Sequence, residues 1–283
     1  MKNLVVVYNP KSGGALTKLK LERRFRAAGL SPTRFIPVNK KLSRRLSISI
    51  RSNAIIAVVG GDGTMSYVAD MIAGTGATLA PLPGGTLNHF ARDLHIPDDI
   101  DEALQRLASA RRHKIDTASV NNVGFINNSS IGLYPSSLHA RKHLEDRLGK
   151  WPAAIIGSFR ALFRFRAYRL KVNGELLSSP FVFVGNGLYH LDDYGNTDRS
   201  RLTSGALSVY VAKATSRWQL FIIFVHALTG RLHAARDFDA YIVRDELVIE
   251  SLKRNIKVSH DGEVERLSGR LTYRIHRKSL WVR

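Results

Sequence analysis

The chain has 283 residues, carries a formal net charge of +20 and contains no cysteine. This length can bury the core of one large domain or of two moderate ones. The absence of cysteine excludes disulfide bonds and thiolate catalysis and fits a reducing, cytoplasmic location. The excess of basic residues indicates a polyanionic partner, such as phosphate groups, an anionic membrane surface or nucleic acid.

The apolar segments are too short to cross a bilayer. The longest, Leu220–Leu228, is interrupted by His226, whereas a spanning helix needs about 20 apolar residues. The first residues, Met1-Lys2-Asn3, lead into a strand-like run and show no signal-peptide pattern. We therefore expect a soluble or peripherally membrane-associated protein.

Strand and helix signals alternate in the first part of the chain. Strand-like apolar runs occur at Leu4–Tyr8, Arg34–Val38, Ala54–Val59 and Leu79–Leu82. Helical patterns lie between and after them, at Leu16–Ala28, Lys40–Ser52, the segment after Thr64, Asn88–Leu94 and Ile100–Ser109. This alternation predicts a three-layer α/β domain over residues 1–114, with a parallel sheet between two layers of helices.

The pattern changes near Ile115, where short strand-like segments separated by turn residues begin: Ile115–Val120, Gly124–Asn128, Tyr168–Val172, Phe181–Asn186, Ala206–Ala212, Asp239–Val243, Leu247–Ser251 and Asn255–Ser259. They predict a mainly antiparallel, β-sandwich-like domain over residues 115–270, with inserted helices at Leu138–Arg166 and Ser216–Arg236. The basic closing segment, residues 271–283, is strand-like and is compatible with a return to the first domain. The fold class is α/β plus all-β, with a cleft between the domains.

Two glycine-rich turns follow neighbouring strands of the predicted sheet. Gly60-Gly61-Asp62-Gly63-Thr64 comes after Ala54–Val59, and Pro83-Gly84-Gly85-Thr86-Leu87-Asn88 comes after the next strand. Glycine at the carboxyl end of a strand lets the backbone approach an anion, and a following helix directs its first N–H groups and its dipole at that anion. Taken alone, each turn could be an ordinary tight turn, but the pair predicts a phosphate site at one edge of the sheet.

Two common nucleotide motifs are missing. The chain has no Gly-x-x-x-x-Gly-Lys-Ser/Thr sequence, which excludes a P-loop, and no Gly-x-Gly-x-x-Gly sequence that opens a helix, which excludes the dinucleotide fingerprint. The histidines form no metal-ligand pattern either, since no His-Glu-x-x-His occurs.

Together with three further segments, these turns resemble the diacylglycerol kinase-type bacterial lipid kinases, which are related to sphingosine kinases and more distantly to NAD kinases. The matching segments are Tyr8-Asn9-Pro10-Lys11-Ser12-Gly13-Gly14, Gly60–Thr64, Pro83–Leu94, Phe125–Gly132 and Asp261-Gly262-Glu263. The resemblance implies a kinase that uses ATP and Mg²⁺ to phosphorylate a hydroxyl group of a membrane lipid, with diacylglycerol as the default acceptor. It also implies that the nucleotide lies in the cleft between the two domains.

Phosphoryl transfer needs phosphate positioning, charge neutralisation and a base. We expect ATP to contact the two glycine turns and the end of the first strand through Asn9, Lys11, Ser12, Gly60, Gly61, Gly63, Thr64, Gly84, Gly85, Thr86 and Asn88. Asp62 is the expected carboxylate for Mg²⁺ or its waters. Lys11 could neutralise the β- and γ-phosphates or could be a solvated turn lysine.

The catalytic base is expected in the second domain. Asp261-Gly262-Glu263 read alone is a hairpin turn. The resemblance implies that Asp261 is the general base for the lipid hydroxyl and that Glu263 assists it or the metal. The catalytic set is therefore Asp261, Glu263 and Asp62.

The chain departs from the family pattern at two positions. His89 stands where many members have an aspartate, and imidazole cannot reproduce the hydrogen bonds of a carboxylate. Ser204 stands where many bacterial members have an acidic residue that helps bind a structural divalent ion. We expect no second metal site.

Two basic amphipathic segments could contact an anionic membrane. Trp151–Arg169 combines an apolar face with Arg160, Arg164, Arg166 and Arg169, and Ser216–Arg236 aligns Trp218, Phe221, Ile222, Val225 and Leu232. Such faces also pack on sheets, so both interpretations stay open.

Other functional classes explain fewer of these motifs. An NAD kinase-like enzyme would share Gly60–Thr64, but the Pro-Gly-Gly-Thr-Leu-Asn turn and the absence of an Asn-Glu dipeptide favour the lipid branch. A non-catalytic nucleic-acid-binding or lipid-binding protein is the remaining alternative, and no nucleic-acid-binding motif supports the former. The sequence does not indicate the oligomeric state.

Overall fold

A computed structural model of the chain describes residues 3–10, 16–85, 88–132, 168–172, 174–191, 197–213, 216–228 and 238–283. The chain divides into two compact units. The first comprises Met1–Thr117, Val123–Asn127 and His276–Arg283, and the second comprises Ala118–Asn122 and Asn128–Ile275. The closing residues therefore belong to the first unit.

The first unit contains a parallel sheet flanked by helices. Its elements are β1 (Leu4–Tyr8), α1 (Lys18–Ala27), β2 (Arg34–Pro37), α2 (Leu42–Arg51), β3 (Ile55–Gly60), α3 (Asp62–Ile72), β4 (Thr78–Pro83), α4 (His89–Asp93), α5 (Ile100–Ser109), the start of β5 (His113–Val120) and β6 (Val123–Phe125). The strands lie in the order β4-β3-β1-β2, and the end of β16 (Glu263–Val282) pairs in parallel with β4 at Trp281 and Thr78.

Both faces of this sheet are covered. Leu4 and Val6 on one face pack with Leu21 and Phe25 of α1 and with residues of α5. Because β2 and β3 lie on opposite sides of β1, right-handed crossovers place α1 and α2 on opposite faces of the sheet. Strands β1, β3 and β4 are buried along almost their whole length, as parallel strands between helices are, whereas the edge strand β2 exposes Arg34. The prediction of an α/β first domain is confirmed.

The second unit is built on antiparallel strands. Its elements are the end of β5, β7 (Asn128–Gly132), β8 (Tyr168–Val172), β9 (Glu175–Ser179), β10 (Phe181–Asn186), β11 (Leu188–Leu191), β12 (Thr197–Arg201), β13 (Leu207–Ala212), α6 (Arg217–Leu228), β14 (Phe238–Val243), β15 (Glu246–His260) and residues 263–275 of β16. They run in the order β14-β13-β10-β7-β15-β16, the β8–β9 hairpin pairs with β15, and β11 and β12 form a separate pair. The prediction of a β-rich second domain is confirmed.

Local boundaries differ from the sequence prediction at several elements. Two predicted strands, Leu247–Ser251 and Asn255–Ser259, are one long strand β15 whose pairing is irregular between Glu250 and Asn255. Strands β9, β11 and β12 were not predicted, since their polar residues obscure the alternation that marks a strand. The predicted helix Leu138–Arg166 lies outside the described residues.

Candidate active site

The first glycine turn joins strand β3 to helix α3. Gly60 ends the strand, Gly61 precedes the helix, and the N–H groups of Thr64 and Met65 donate to the Gly61 carbonyl at 2.9 and 3.1 Å. The N–H groups at the very start of a helix have no acceptor within it. Those of Asp62 and Gly63 lie at this start, where the helix dipole also favours negative charge. The turn can therefore hold a phosphate group.

The second glycine turn packs directly against the first. A Cβ atom on Gly84 would lie 2.6 Å from the backbone nitrogen of Gly60, and one on Gly85 would overlap the Cα of Gly61. Only glycine allows two backbones to approach this closely. Asn88, in the left-handed conformation at φ 49°, accepts a hydrogen bond from the Gly85 N–H at 2.9 Å through Oδ1 and holds the turn in shape.

Two side chains connect the turns to their neighbours. The Phe90 backbone N–H donates to Oδ1 of Asp62 at 3.0 Å, so the carboxylate joins the start of α3 to the start of α4. Asn9, at the end of β1, donates through Nδ2 to Oγ1 of Thr64 at 3.3 Å. The ends of three parallel strands are thus connected on one edge of the sheet.

The structure brings most of the sequence-predicted nucleotide residues together within the first unit. These are Asn9, Gly60, Gly61, Asp62, Gly63, Thr64, Gly84, Gly85 and Asn88. Lys11, Ser12 and Thr86 lie outside the described residues. His89 is exposed as the first residue of α4.

Asp62 is the carboxylate available for a magnesium ion at this edge. Mg²⁺ is usually held by one or two carboxylates together with substrate phosphates. Among the described residues, no group of three or more His, Cys, Asp or Glu side chains could hold a metal ion by itself. A single carboxylate beside two glycine turns fits an ion that is held mainly by the phosphates of a nucleotide.

Asp261 lies in a tight hairpin of the second unit. It and Gly262 join β15 to β16, with φ angles of 44° and 94° that characterise a type I′ turn. The Asp261 N–H donates to the Asn128 carbonyl at 2.9 Å, and Oδ1 of Asp261 accepts from the Asn128 N–H at 3.0 Å. Asp261 is only 8% exposed, because these reciprocal bonds hold it against strand β7.

The strands beneath this hairpin are tied together by a buried polar contact. The hydroxyl groups of Ser129 and Tyr273 lie 3.2 Å apart, and burial raises the pKa of Tyr273 above its ordinary value. Glu263, the second predicted catalytic carboxylate, is exposed at the start of β16.

Ser204 is half-buried in the second unit, with its Oγ atom shielded from solvent. Its Oγ atom has no hydrogen-bond partner among the described residues. A neutral hydroxyl donates as well as accepts and carries no charge to offset a divalent ion. The prediction that no structural ion binds here stays a prediction.

Helix α6 exposes its apolar stripe. Trp218 is 68% exposed, Phe221, Ile222 and Val225 are 36–38% exposed, and the Trp218 and Phe221 rings stack at 5.4 Å. Trp218 therefore does not pack on the sheet, whereas Phe221, Ile222 and Val225 are more than half covered, so both interpretations stay open for these three. Residues 151–167 and Leu232 lie outside the described residues. No helix in the described part of the chain is long and apolar enough to cross a membrane.

The sequence does not indicate which backbone N–H groups bond to the carboxylates of Asp62 and Asp261. Phe90 and Asn128 lie within segments that carry the family resemblance, yet they bond to Asp62 and Asp261 across 28 and 133 residues. No local pattern signals such pairings.

Comparison with known proteins agrees with these features. A family model, the diacylglycerol kinase catalytic domain, matches residues 3–120. Curated proteins named diacylglycerol kinase from Staphylococcus haemolyticus (strain JCSC1435) and Staphylococcus aureus (strain JH9) are each 32% identical over 197 residues, which cover 66% of this chain and 57% and 60% of theirs. The chain thus spans about three fifths of the length of these curated relatives.

A solved structure extends the likeness in fold to the whole chain. The crystal structure of a Bacillus anthracis str. Sterne protein assigned as a diacylglycerol kinase has a TM-score of 0.74 and 21% identity, and the match covers 99% of this chain and 96% of that one. At this identity the match shows the fold alone. The resemblance seen in the sequence is confirmed by the family model and the curated relatives.

Proposed function

Because residues 3–120 match the diacylglycerol kinase catalytic domain model, we propose that the protein is an ATP-dependent lipid kinase that phosphorylates a hydroxyl group of a membrane lipid. Diacylglycerol is the first acceptor to test. The observation that carries the proposal is the packing of the two glycine turns, whose backbones meet where the β3 and β4 strands end. The family match supports the lipid branch over an NAD kinase-like enzyme.

In this proposal the first unit binds the nucleotide. The N–H groups at the start of α3 and the backbone of Gly84 and Gly85 contact phosphate oxygens. Because glycine has no side chain, the oxygens can approach the backbone closely at these two positions. Thr64, positioned by Asn9, adds a hydroxyl group. The expected set of nucleotide contacts is completed by Lys11 and Ser12, which follow β1 in the sequence, and by Thr86 of the second glycine turn.

Asp62 would hold Mg²⁺ together with the phosphates. When bound, the ion neutralises charge on the β- and γ-phosphate oxygens. The protein's contribution is the orientation of the carboxylate, which the Phe90 N–H holds through Oδ1.

Asp261 is the proposed general base. Its carboxylate takes the proton of the lipid hydroxyl as that oxygen forms a bond to the γ-phosphorus, while the bond from the γ-phosphorus to the β–γ bridging oxygen breaks and ADP leaves. The reciprocal bonds with Asn128 fix the orientation of the carboxylate. Glu263, exposed two residues later, assists as a second carboxylate.

A lipid acceptor requires contact with a membrane. We expect peripheral association, with the exposed α6 stripe inserted at the interface, where Trp and Phe are favoured. The net charge of +20 favours anionic lipid, since each Lys or Arg near such a surface contributes about 1 kcal/mol.

The direct test is a transfer assay in mixed micelles. The protein is incubated with labelled ATP, Mg²⁺ and separate lipids (diacylglycerol, monoacylglycerol, a sphingoid base and phosphatidylglycerol), and the labelled product is extracted. Transfer of the label to one of these lipids by the parent protein, together with loss of that transfer in Asp261→Asn, would support the proposal. Transfer of the label to NAD in a parallel incubation, or to none of these acceptors although the parent protein binds ATP, would contradict the proposal.

A further inference from the structure

A basic surface of the first unit has no part in the proposed catalytic site. No aspartate or glutamate occurs between Glu22 and Asp62, whereas lysine and arginine recur throughout this segment. Helix α2 lies in its middle and buries Leu42, Leu46 and Ser49. Its opposite side and the two residues before it form an exposed surface, called here the α2 basic face: Lys40, Lys41, Arg44, Arg45, Ile48 and Arg51.

The cations of this face lack acidic partners. None of the five forms an ion pair with the described residues, whereas on α1 Lys18 pairs with Glu22 and Arg24 pairs with Asp101. Among the described residues, no ion pair compensates this charge, which is therefore available to an external anion.

An apolar side chain stands within the same face. Ile48 is 68% exposed and lies one helical turn from both Arg44 and Arg51. A bilayer surface satisfies both kinds of group, because phosphates meet the guanidinium groups while an aliphatic side chain enters the boundary between headgroups and acyl chains. The phosphate backbone of a nucleic acid would leave Ile48 in water, so the mixture favours lipid.

We propose that the α2 basic face docks on the anionic phospholipid headgroups of a membrane. This inference rests on the proposed lipid kinase function, since a kinase with a bilayer substrate gains from a fixed attachment of its nucleotide unit. It adds a second membrane contact, separate from α6, and assigns the electrostatic attraction mainly to Arg44, Arg45 and Arg51, with Ile48 beside them.

The test compares two triple variants of equal charge. Arg44→Gln, Arg45→Gln and Arg51→Gln change the α2 basic face, while Lys20→Gln, Arg23→Gln and Arg26→Gln remove three exposed cations of α1 on the opposite side of the sheet. Sedimentation with phosphatidylglycerol-containing vesicles at about 0.1 M salt measures the partition coefficient. We expect a loss on the order of 10²-fold for the α2 variant, at about fivefold per arginine, and a much smaller loss for the α1 variant.

Ile48→Gln supplies an uncharged probe. It should weaken vesicle binding about threefold or more, from lost apolar burial, and leave affinity for duplex DNA unchanged. Equal losses for the two triple variants would overturn the proposal in favour of bulk charge. Tighter binding to DNA or RNA than to anionic vesicles, abolished by the α2 triple variant, would assign the face to nucleic acid instead.

Activity in neutral detergent micelles separates this proposal from the kinase assignment. The α2 triple variant should phosphorylate micellar diacylglycerol at the parent rate, because no headgroup charge is present there. Parent protein without micellar activity would contradict the kinase function, while the vesicle comparison would still decide the docking surface. Thermal melting of each variant confirms folding, and single substitutions of Arg44 and Arg51 replace the triple variant if it melts early.

Discussion

The carboxylate of Asp62 accepts a hydrogen bond from the backbone N–H of Phe90 at 3.0 Å and so joins the helices that follow the two glycine turns. An aspartate in this position can serve the fold, the metal or both. An asparagine keeps an acceptor oxygen for the N–H group but loses the charge, whereas an alanine loses both.

The two replacements of Asp62 therefore separate its roles. We expect Asp62→Ala to lower the free energy of unfolding by about 0.5–2 kcal/mol, the usual cost of a lost helix-start acceptor, and Asp62→Asn to lower it much less. Both should reduce kinase turnover severely if Asp62 contacts Mg²⁺. Chemical denaturation and the micelle assay provide the two measurements, and normal turnover in Asp62→Asn would leave Asp62 with a structural role only.

Two glycine substitutions distinguish packing from phosphate binding. Gly84→Ala should destabilise the protein by about 1–3 kcal/mol, since its Cβ would overlap the backbone of Gly60. In Gly61→Ala the Cβ would lie 3.5 Å from Gly85 Cα, an ordinary contact, at an extended φ of −83°. This variant should melt near the parent temperature yet bind ATP weakly in calorimetry. Parent-like ATP affinity would exclude this turn as the phosphate site.

Replacement of Asp261 tests the base. Asn accepts the hydrogen bond from Asn128 and tolerates the left-handed conformation, so Asp261→Asn should fold normally. Turnover should fall roughly 10²–10⁴-fold, the typical value of general-base catalysis, with ATP affinity nearly intact. Glu263→Gln is the matched control and should lose less, because Glu263 is exposed. The assignment of the base is wrong if Asp261→Asn turns over at the parent rate.

Titration with Mg²⁺ tests the expectation at Ser204. A ligand that binds only the native state raises its stability. Thermal melting without nucleotide should show no saturable stabilisation as Mg²⁺ is added, whereas Mg²⁺ with ATP should stabilise the protein. Clear saturation by Mg²⁺ alone would reveal a separate ion site that the serine does not abolish.

The α6 stripe should contribute to membrane binding. Trp218→Ser with Phe221→Ser should reduce partition into phosphatidylglycerol-containing vesicles by about tenfold or more, since large apolar side chains each gain about 1.5–3 kcal/mol when fully buried. Leu176→Ser with Leu252→Ser is the control, because both leucines are 71% exposed on other elements of the same unit. Similar losses in the two double variants would mean that α6 has no special role.

The sequence by itself determined the elements of the first unit and the identity of its turns. Apolar runs such as Leu4–Tyr8 become buried parallel strands, and helix α5 spans Ile100–Ser109 as predicted. Both the strands and the glycine turns can be predicted because their signals are local. Apolar periodicity and the conformational freedom of glycine depend only on residues that are neighbours in the sequence. The family resemblance depends on these same local segments.

Only the tertiary structure decided which distant groups meet. Asp62 meets Phe90 and Asp261 meets Asn128 through backbone N–H groups, which every residue type except proline possesses, so the sequence cannot single them out. The exposure of a side chain also depends on residues that are distant in the sequence. The apolar stripe of α6 and the residues of the α2 basic face follow helical periodicity, which shows that side chains share a face. Whether that face is covered depends on the elements packed against it.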